Sequence, residues 1–140
     1  MQFQLISATG VKFDNDAYEV LVPTKDGVIA VAKDHMPLIS TGMPGVISVR
    51  KKAGDAERDM EHFAVYGGVM QTDGKLTRFV TDDVTTTDEV SEQEASAALK
   101  RAEDLVSGAE TRDEVREATR VLHYHTARLH LAQIKTRHHR

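Results

Sequence analysis

The chain has no cysteine among its 140 residues, which excludes disulfides and thiolate metal sites. It also lacks tryptophan and has only three tyrosines and four phenylalanines, so its core must be mainly aliphatic. No apolar run approaches the roughly 20 residues of a membrane span. The opening Met1-Gln2-Phe3-Gln4-Leu5-Ile6 has neither the basic start and apolar stretch of a secretory signal nor the composition of a transit peptide. A soluble, cytoplasmic chain is therefore expected, with membrane association only through a partner. A net charge of −4 argues against a dedicated nucleic-acid binder. Also missing are a Ser-His-Asp order, a His-Glu-x-x-His helix and a glycine-rich phosphate loop ending in Lys-Ser/Thr. No catalytic residue, cofactor site or metal site is expected.

What is present divides at a change of period. From Gln2 to about Val84 apolar and polar residues alternate over short runs, as in Phe3/Leu5 against Gln2/Gln4, and Tyr18/Val20/Val22. Turn signals separate the runs: Thr9-Gly10, Asp14-Asn15-Asp16, Asp26-Gly27, Met43-Pro44-Gly45, Lys51 to Asp55, and Asp73-Gly74. The densest punctuation lies in Asp26–Val49, where Lys33-Asp34-His35 interrupts two apolar runs and Pro37 holds Met36 extended. Short strands at this spacing predict a β-sandwich or flattened barrel over residues 1–84. Gly67-Gly68 reads as a strand-bending pair that allows close backbone packing.

Residues 85–90, beginning with three threonines, read as a linker. Residues 91–140 then follow a period of 3.6. Ser91 to Glu94 and Thr111 to Glu114 fit capping boxes. Ala95, Ala98, Leu99, Ala102, Leu105 and Val106 form one helical stripe, with Gly108 suited to a left-handed C-cap. On the second helix, about Arg112–Lys135, a seam of Val115, Ala118, Leu122, His125, Leu129 and Ala132 predicts an antiparallel two-helix hairpin. The first helix is mainly acidic and the second mainly basic, so the two attract when folded together. Such an alanine-rich pair has little core of its own and reads as an appendage that can dock or open.

Several of these stretches together resemble the epsilon subunit of the bacterial and chloroplast F-type ATP synthase. That family carries a Gly-x-x-Gly hairpin, then Pro-Gly-His-x-Pro-Leu, then Pro-Gly, then Ser-Gly-Gly-Phe. Here these read Gly27-Val28-Ile29-Ala30, Lys33-Asp34-His35-Met36-Pro37-Leu38, Pro44-Gly45 and Tyr66-Gly67-Gly68-Val69. Lys33-Asp34 replaces the Pro-Gly before the histidine, and Ala30 the second glycine of the hairpin. The resemblance spans nearly the whole chain. It implies a non-catalytic rotor subunit whose sandwich binds the gamma subunit and the membrane c ring, through Asp26, Gly27, Val28, Lys33, Asp34, His35 and Met36. It implies a hairpin that inhibits ATP hydrolysis when extended, through contacts of its second helix with gamma and the beta and alpha subunits; Arg116, Arg120 and Arg128, spaced four and eight apart on one broad face of that helix, are the side chains expected to carry the contact. It implies a peripheral place on the cytoplasmic face of the bacterial plasma membrane, or on the thylakoid.

Some family members bind ATP on the hairpin through Ile/Leu-Asp-x-x-Arg-Ala and arginines of the second helix. Here the aligned stretch is Val90-Ser91-Glu92-Gln93-Glu94-Ala95, with Ser91 for the acid and Glu94 for the arginine; Arg128 matches one later arginine and Tyr124 replaces another. A glutamate in place of a phosphate-facing arginine repels a triphosphate, so no tight ATP site of this kind is expected.

Without the resemblance, the residues leave other readings open. One is a stand-alone β-sandwich ligand-binding module with a helical oligomerisation tail. Another is an enzyme using Asp34, His35 and His62, three residues too scattered along the chain to read as a built site. His123, His125, His130, His138 and His139 crowd the end and suit zinc or pH sensing, or no specific role at all.

Overall fold

Period-two alternation is realised as ten strands, followed by two helices. In the computed structural model, which describes residues 1–138, the strands are β1 (Gln2–Ser7), β2 (Gly10–Asp16), β3 (Glu19–Thr24), β4 (Gly27–Ala32), β5 (Leu38–Gly42), β6 (Gly45–Arg50), β7 (Glu61–Val65), β8 (Gly68–Thr72), β9 (Leu76–Val80) and β10 (Val84–Thr86). Hydrogen-bonded neighbours run β10-β7-β6-β3-β5-β8-β9-β1-β2, with β4 on the other edge of β3. The path narrows between β3 and β5 to one pair, Thr24 with Gly42. Two five-stranded layers result, β10-β7-β6-β3-β4 and β5-β8-β9-β1-β2, joined at that pinch. All neighbours are antiparallel except β1 and β9.

Inward-facing residues of both layers fill the core. Phe3, Leu5, Val20, Val22, Val31, Ile47, Val49, Val65, Met70 and Phe79 are fully buried. Each such side chain contributes about 1.5–3 kcal/mol relative to exposure. Phe3, Phe13 and Phe63 meet in sequence, with ring centroids 5.7 and 6.0 Å apart. The expected sandwich is therefore present, and its core is aliphatic around a few phenylalanines.

Gly67-Gly68 acts as a bend. Both have positive φ, 109° and 146°, and a Cβ on Gly68 would run into the Val80 carbonyl of the neighbouring strand. Only glycine combines that conformation with that approach. The sheet continues through Thr85 and Thr86 in β10, paired with Ala64 and Phe63, where the sequence suggests a linker.

Helices α1 (Glu92–Gly108) and α2 (Arg112–His138) form the hairpin expected from the sequence. Ser91 caps α1 by accepting from the Glu94 N–H at 3.3 Å. At α2 the capping box closes both ways. Thr111 accepts from Glu114 N–H at 3.1 Å, and the Glu114 carboxylate accepts from the N–H groups of Thr111 and Glu110. Those backbone bonds hold its carboxyl below the usual range. The left-handed cap suggested at Gly108 does not form: Gly108 remains helical, and Ala109 leaves in an extended conformation at φ −73°. A left-handed turn is unnecessary because α2 begins after only three further residues, 109–111.

The α2 seam is broader than its heptad pattern suggests. Val115 is 42% exposed, whereas Tyr124, Ala127, Leu131 and Ile134 are buried. Of that second stripe, at spacings of three, four and three, Tyr124, Ala127 and Leu131 pack with Val46, Ala64 and Tyr66 on the sheet. Helix α2 thus lies between α1 and the outer face of β6 and β7.

Candidate functional site

Covering one layer leaves the other bare. On the β5-β8-β9-β1-β2 layer, Ile39 is 70% exposed, Val69 50%, Val80 47% and Val11 60%. Cross-strand register aligns them. Val69 pairs with Val80, Val80 with Ile6, and Ile6 with Val11, while Ile39 stands two residues from Thr41, the partner of Val69. Alternation puts Leu5, Met70 and Phe79 inward, which forces these neighbours outward. An aliphatic row across five adjacent strands, most of it in water, marks a face that meets a partner.

The residues expected at a rotor interface are not brought together. Asp26, Gly27 and Val28 lie at the start of β4, and Lys33, Asp34, His35 and Met36 follow its end. Ile29 to Ala32 of β4 separate Val28 from Lys33, roughly 17 Å at the usual strand rise. Gly27 makes the tight turn at φ 108°, and Thr24 Oγ1 donates to the Gly27 carbonyl at 2.6 Å. Val28 is 69% exposed. At the other end Asp34 has φ 66°, the left-handed position that the resembling family fills with glycine. Asp visits this region more readily than most side chains, and the backbone holds the turn: the Asp34 N–H donates to the Gly74 carbonyl at 2.9 Å, and the His35 N–H to the Ala32 carbonyl at 3.1 Å. A Cβ on Gly74 would lie 2.8 Å from the His35 carbonyl. The β4–β5 loop is thus seated on the β8–β9 turn, with Met36 72% exposed beside it.

His35 Nδ1 lies 2.7 Å from the Met36 carbonyl, a local loop bond. His62 is buried on β7 with Nδ1 2.8 Å from Ser48 Oγ on β6. His62, His123 and His130 line a groove of about 560 Å³ between α2 and the sheet, with Pro23, Val28 and Pro44. No group of three or more His, Cys, Asp or Glu among the described residues could hold a metal ion. Of the terminal pair, His139 lies outside the described residues, as does the side chain of His138.

The three arginines of α2 have different surroundings. Arg116 is exposed. Arg120 stacks over the Tyr66 ring at 5.1 Å and approaches its carbonyl at 3.5 Å. Tyr66 in turn donates to Glu117 at 2.6 Å, and burial together with that carboxylate pushes its phenol up to about 12. Arg128 donates from Nε to Thr85 Oγ1 at 3.2 Å and pairs through both terminal nitrogens with Glu94 of α1. Glu94, at the position where nucleotide-binding relatives of the resembling family have arginine, thus neutralises Arg128; the pair holds its carboxyl below the usual range. Tyr124 completes the contact, with its hydroxyl 2.8 Å from Thr85 Oγ1 and donating to Asp83 at 3.0 Å. The sequence marks Tyr124 only as standing in for an arginine; its hydroxyl contacts depend on β10 and the turn before it, distant in the chain.

A β-sandwich that carries a docked helical hairpin on one layer and an apolar row on the other has the layout of a binding subunit. Residues 1–87 match the family model described as "ATP synthase, Delta/Epsilon chain, beta-sandwich domain". The chain belongs to this family, and is an epsilon-type, non-catalytic subunit. Among curated relatives, the ATP synthase epsilon chain of Sulfurihydrogenibium sp. (strain YO3AOP1) is 25% identical over 83% of this chain and 84% of its own. That of Gloeobacter violaceus (strain ATCC 29082 / PCC 7421) is 28% identical over 94% and 96%. The fold is similar to a chain in the cryo-EM structure of the Euglena gracilis mitochondrial ATP synthase, OSCP/F1/c-ring, with TM-score 0.73 at 14% identity, covering 89% of this chain and 76% of that one. It is also similar to a chain of the Tetrahymena thermophila mitochondrial ATP synthase central stalk/c-ring, with TM-score 0.61 at 13% identity over 92% and 96%. No helix among the described residues is long and apolar enough to cross a membrane.

Proposed function

We propose that this chain is a central-stalk subunit of a proton-driven F-type ATP synthase, coupling gamma and the c ring to the catalytic head. The observation that carries the reading is the open aliphatic row Ile39–Val69–Val80–Ile6–Val11 on the layer that the hairpin leaves uncovered. A stalk helix laid across it would bury that row, while the separate Asp26–Val28 turn and Lys33–Met36 loop would touch two further parts of the rotor. The sandwich, which β10 carries on to Thr86, is the rotor-binding unit, and the hairpin is the regulatory unit. In this reading the chain sits on the cytoplasmic face of the membrane, attached through its partners; its family membership supports association with the complex.

In the same reading the hairpin restrains ATP hydrolysis once it leaves the sheet. Support comes from the ionic and aromatic character of its seat. Arg120 and Arg128 hold the docked state through Tyr66, Thr85 and Glu94, and the same guanidinium groups, once freed, suit carboxylates of a catalytic subunit. Cysteine substitution tests the placement in this otherwise cysteine-free chain. Val69→Cys should cross-link to gamma in the assembled complex; unhindered labelling of that cysteine by a bulky thiol reagent, with coupling intact, contradicts it.

A further inference from the structure

Arg128 sits where α1, α2 and β10 meet, with its side chain 13% exposed. Its Nη1 lies 3.2 Å from His125 Nδ1, one turn back on α2. A guanidinium has only donors, so His125 Nδ1 accepts here and the imidazole is neutral, carrying its proton on Nε2. The ring is also tilted against Tyr124, with centroids 5.7 Å apart. His125 thus reaches the hairpin's seat through its neighbours on α2: Arg128, which donates to Thr85 on β10, and Tyr124, whose hydroxyl meets Thr85 and Asp83 in the turn before it.

We propose that His125 is an acid-sensitive catch on the hairpin, whose protonation releases α2 from the sandwich. A proton on Nδ1 turns the hydrogen bond from Arg128 into two opposed N–H groups and sets a second cation beside the first. The groups facing the ring divide in sign. Glu94 and Asp83 favour the imidazolium, Arg128 and Arg101 oppose it, and burial opposes it most. The balance holds His125 below its ordinary value of 6.5. The docked state thus binds fewer protons than the open one. The contribution to docking is complete above 6.5 and is lost as pH falls through the docked value. Release would free both Arg120 and Arg128; that consequence for hydrolysis rests on the function proposed above, whereas the catch itself does not.

The full-length chain in isolation tests the catch. Donor and acceptor dyes on cysteines at Lys52→Cys in the sandwich and Leu105→Cys in the hairpin, both exposed positions, report docking by energy transfer. Between pH 8 and 5.5 the docked-to-open ratio should fall, by at most about tenfold per pH unit for one proton. In His125→Gln, whose amide oxygen accepts at every pH, the ratio should stay flat. A flat response of the unaltered chain, or an equal fall in the variant, overturns the proposal. An NMR titration of His125 in the unaltered chain is the second measurement: a midpoint below 6.5 is required, and one at or above it also overturns the proposal.

Discussion

Replacing Ile39, Val69 and Val80 together by serine should weaken binding of the isolated chain to gamma by about a hundredfold. The three side chains are 70%, 50% and 47% exposed in the free chain, so roughly half of their apolar surface is still available for burial by a partner. Full burial of such a side chain is worth about 1.5–3 kcal/mol. Half of that, over three positions, gives about 3 kcal/mol, or two orders of magnitude in Kd. Folding should be little affected, because the inward neighbours Met70 and Phe79 are untouched and fully buried. Titration calorimetry of purified chain and gamma measures the loss, and circular dichroism of the variant checks the fold. A change in Kd of less than threefold, with the β-type spectrum intact, would refute the assignment of this face.

Truncation after Asp88 should leave a soluble chain with β-type circular dichroism that still binds gamma, since the fourteen core residues of the main cluster all precede Thr85; an insoluble product would make the hairpin part of the core. Arg116→Ala should raise ATP hydrolysis by the purified complex without altering docking, because Arg116 is exposed in the docked hairpin. Replacing Arg116, Arg120 and Arg128 together, or deleting everything after Gly108, should raise it at least as much, and unchanged hydrolysis in all three would make the hairpin's role structural.

The sandwich was legible because alternation and turn chemistry are local. Gly67-Gly68, Asp73-Gly74 and Asp26-Gly27 all stand where the chain bends or turns, and both helix starts follow from Ser91 and Thr111. Alternation tells inward from outward, however, and not which outward face is covered. Val69 and Ala64 both belong to short strands, yet one is half exposed and the other buried under α2. The sheet-facing stripe Tyr124-Ala127-Leu131-Ile134 was present at helical spacing, but a seam directed at α1 accounts for the same helix equally well. Asp34 adopts the left-handed conformation at the position where the resembling family has glycine, which the sequence does not reveal. That its distance from Val28 is the length of a strand follows only from seeing β4 run between them.

An affinity-tagged copy of this chain, recovered from gently solubilised membranes, tests the central claim most directly. The account predicts that gamma, alpha, beta and the c ring are recovered with it in fixed proportion, and that gamma is lost from the Ile39/Val69/Val80 serine variant. Recovery of the unaltered chain alone, from membranes whose assembled ATP synthase is intact, would contradict it.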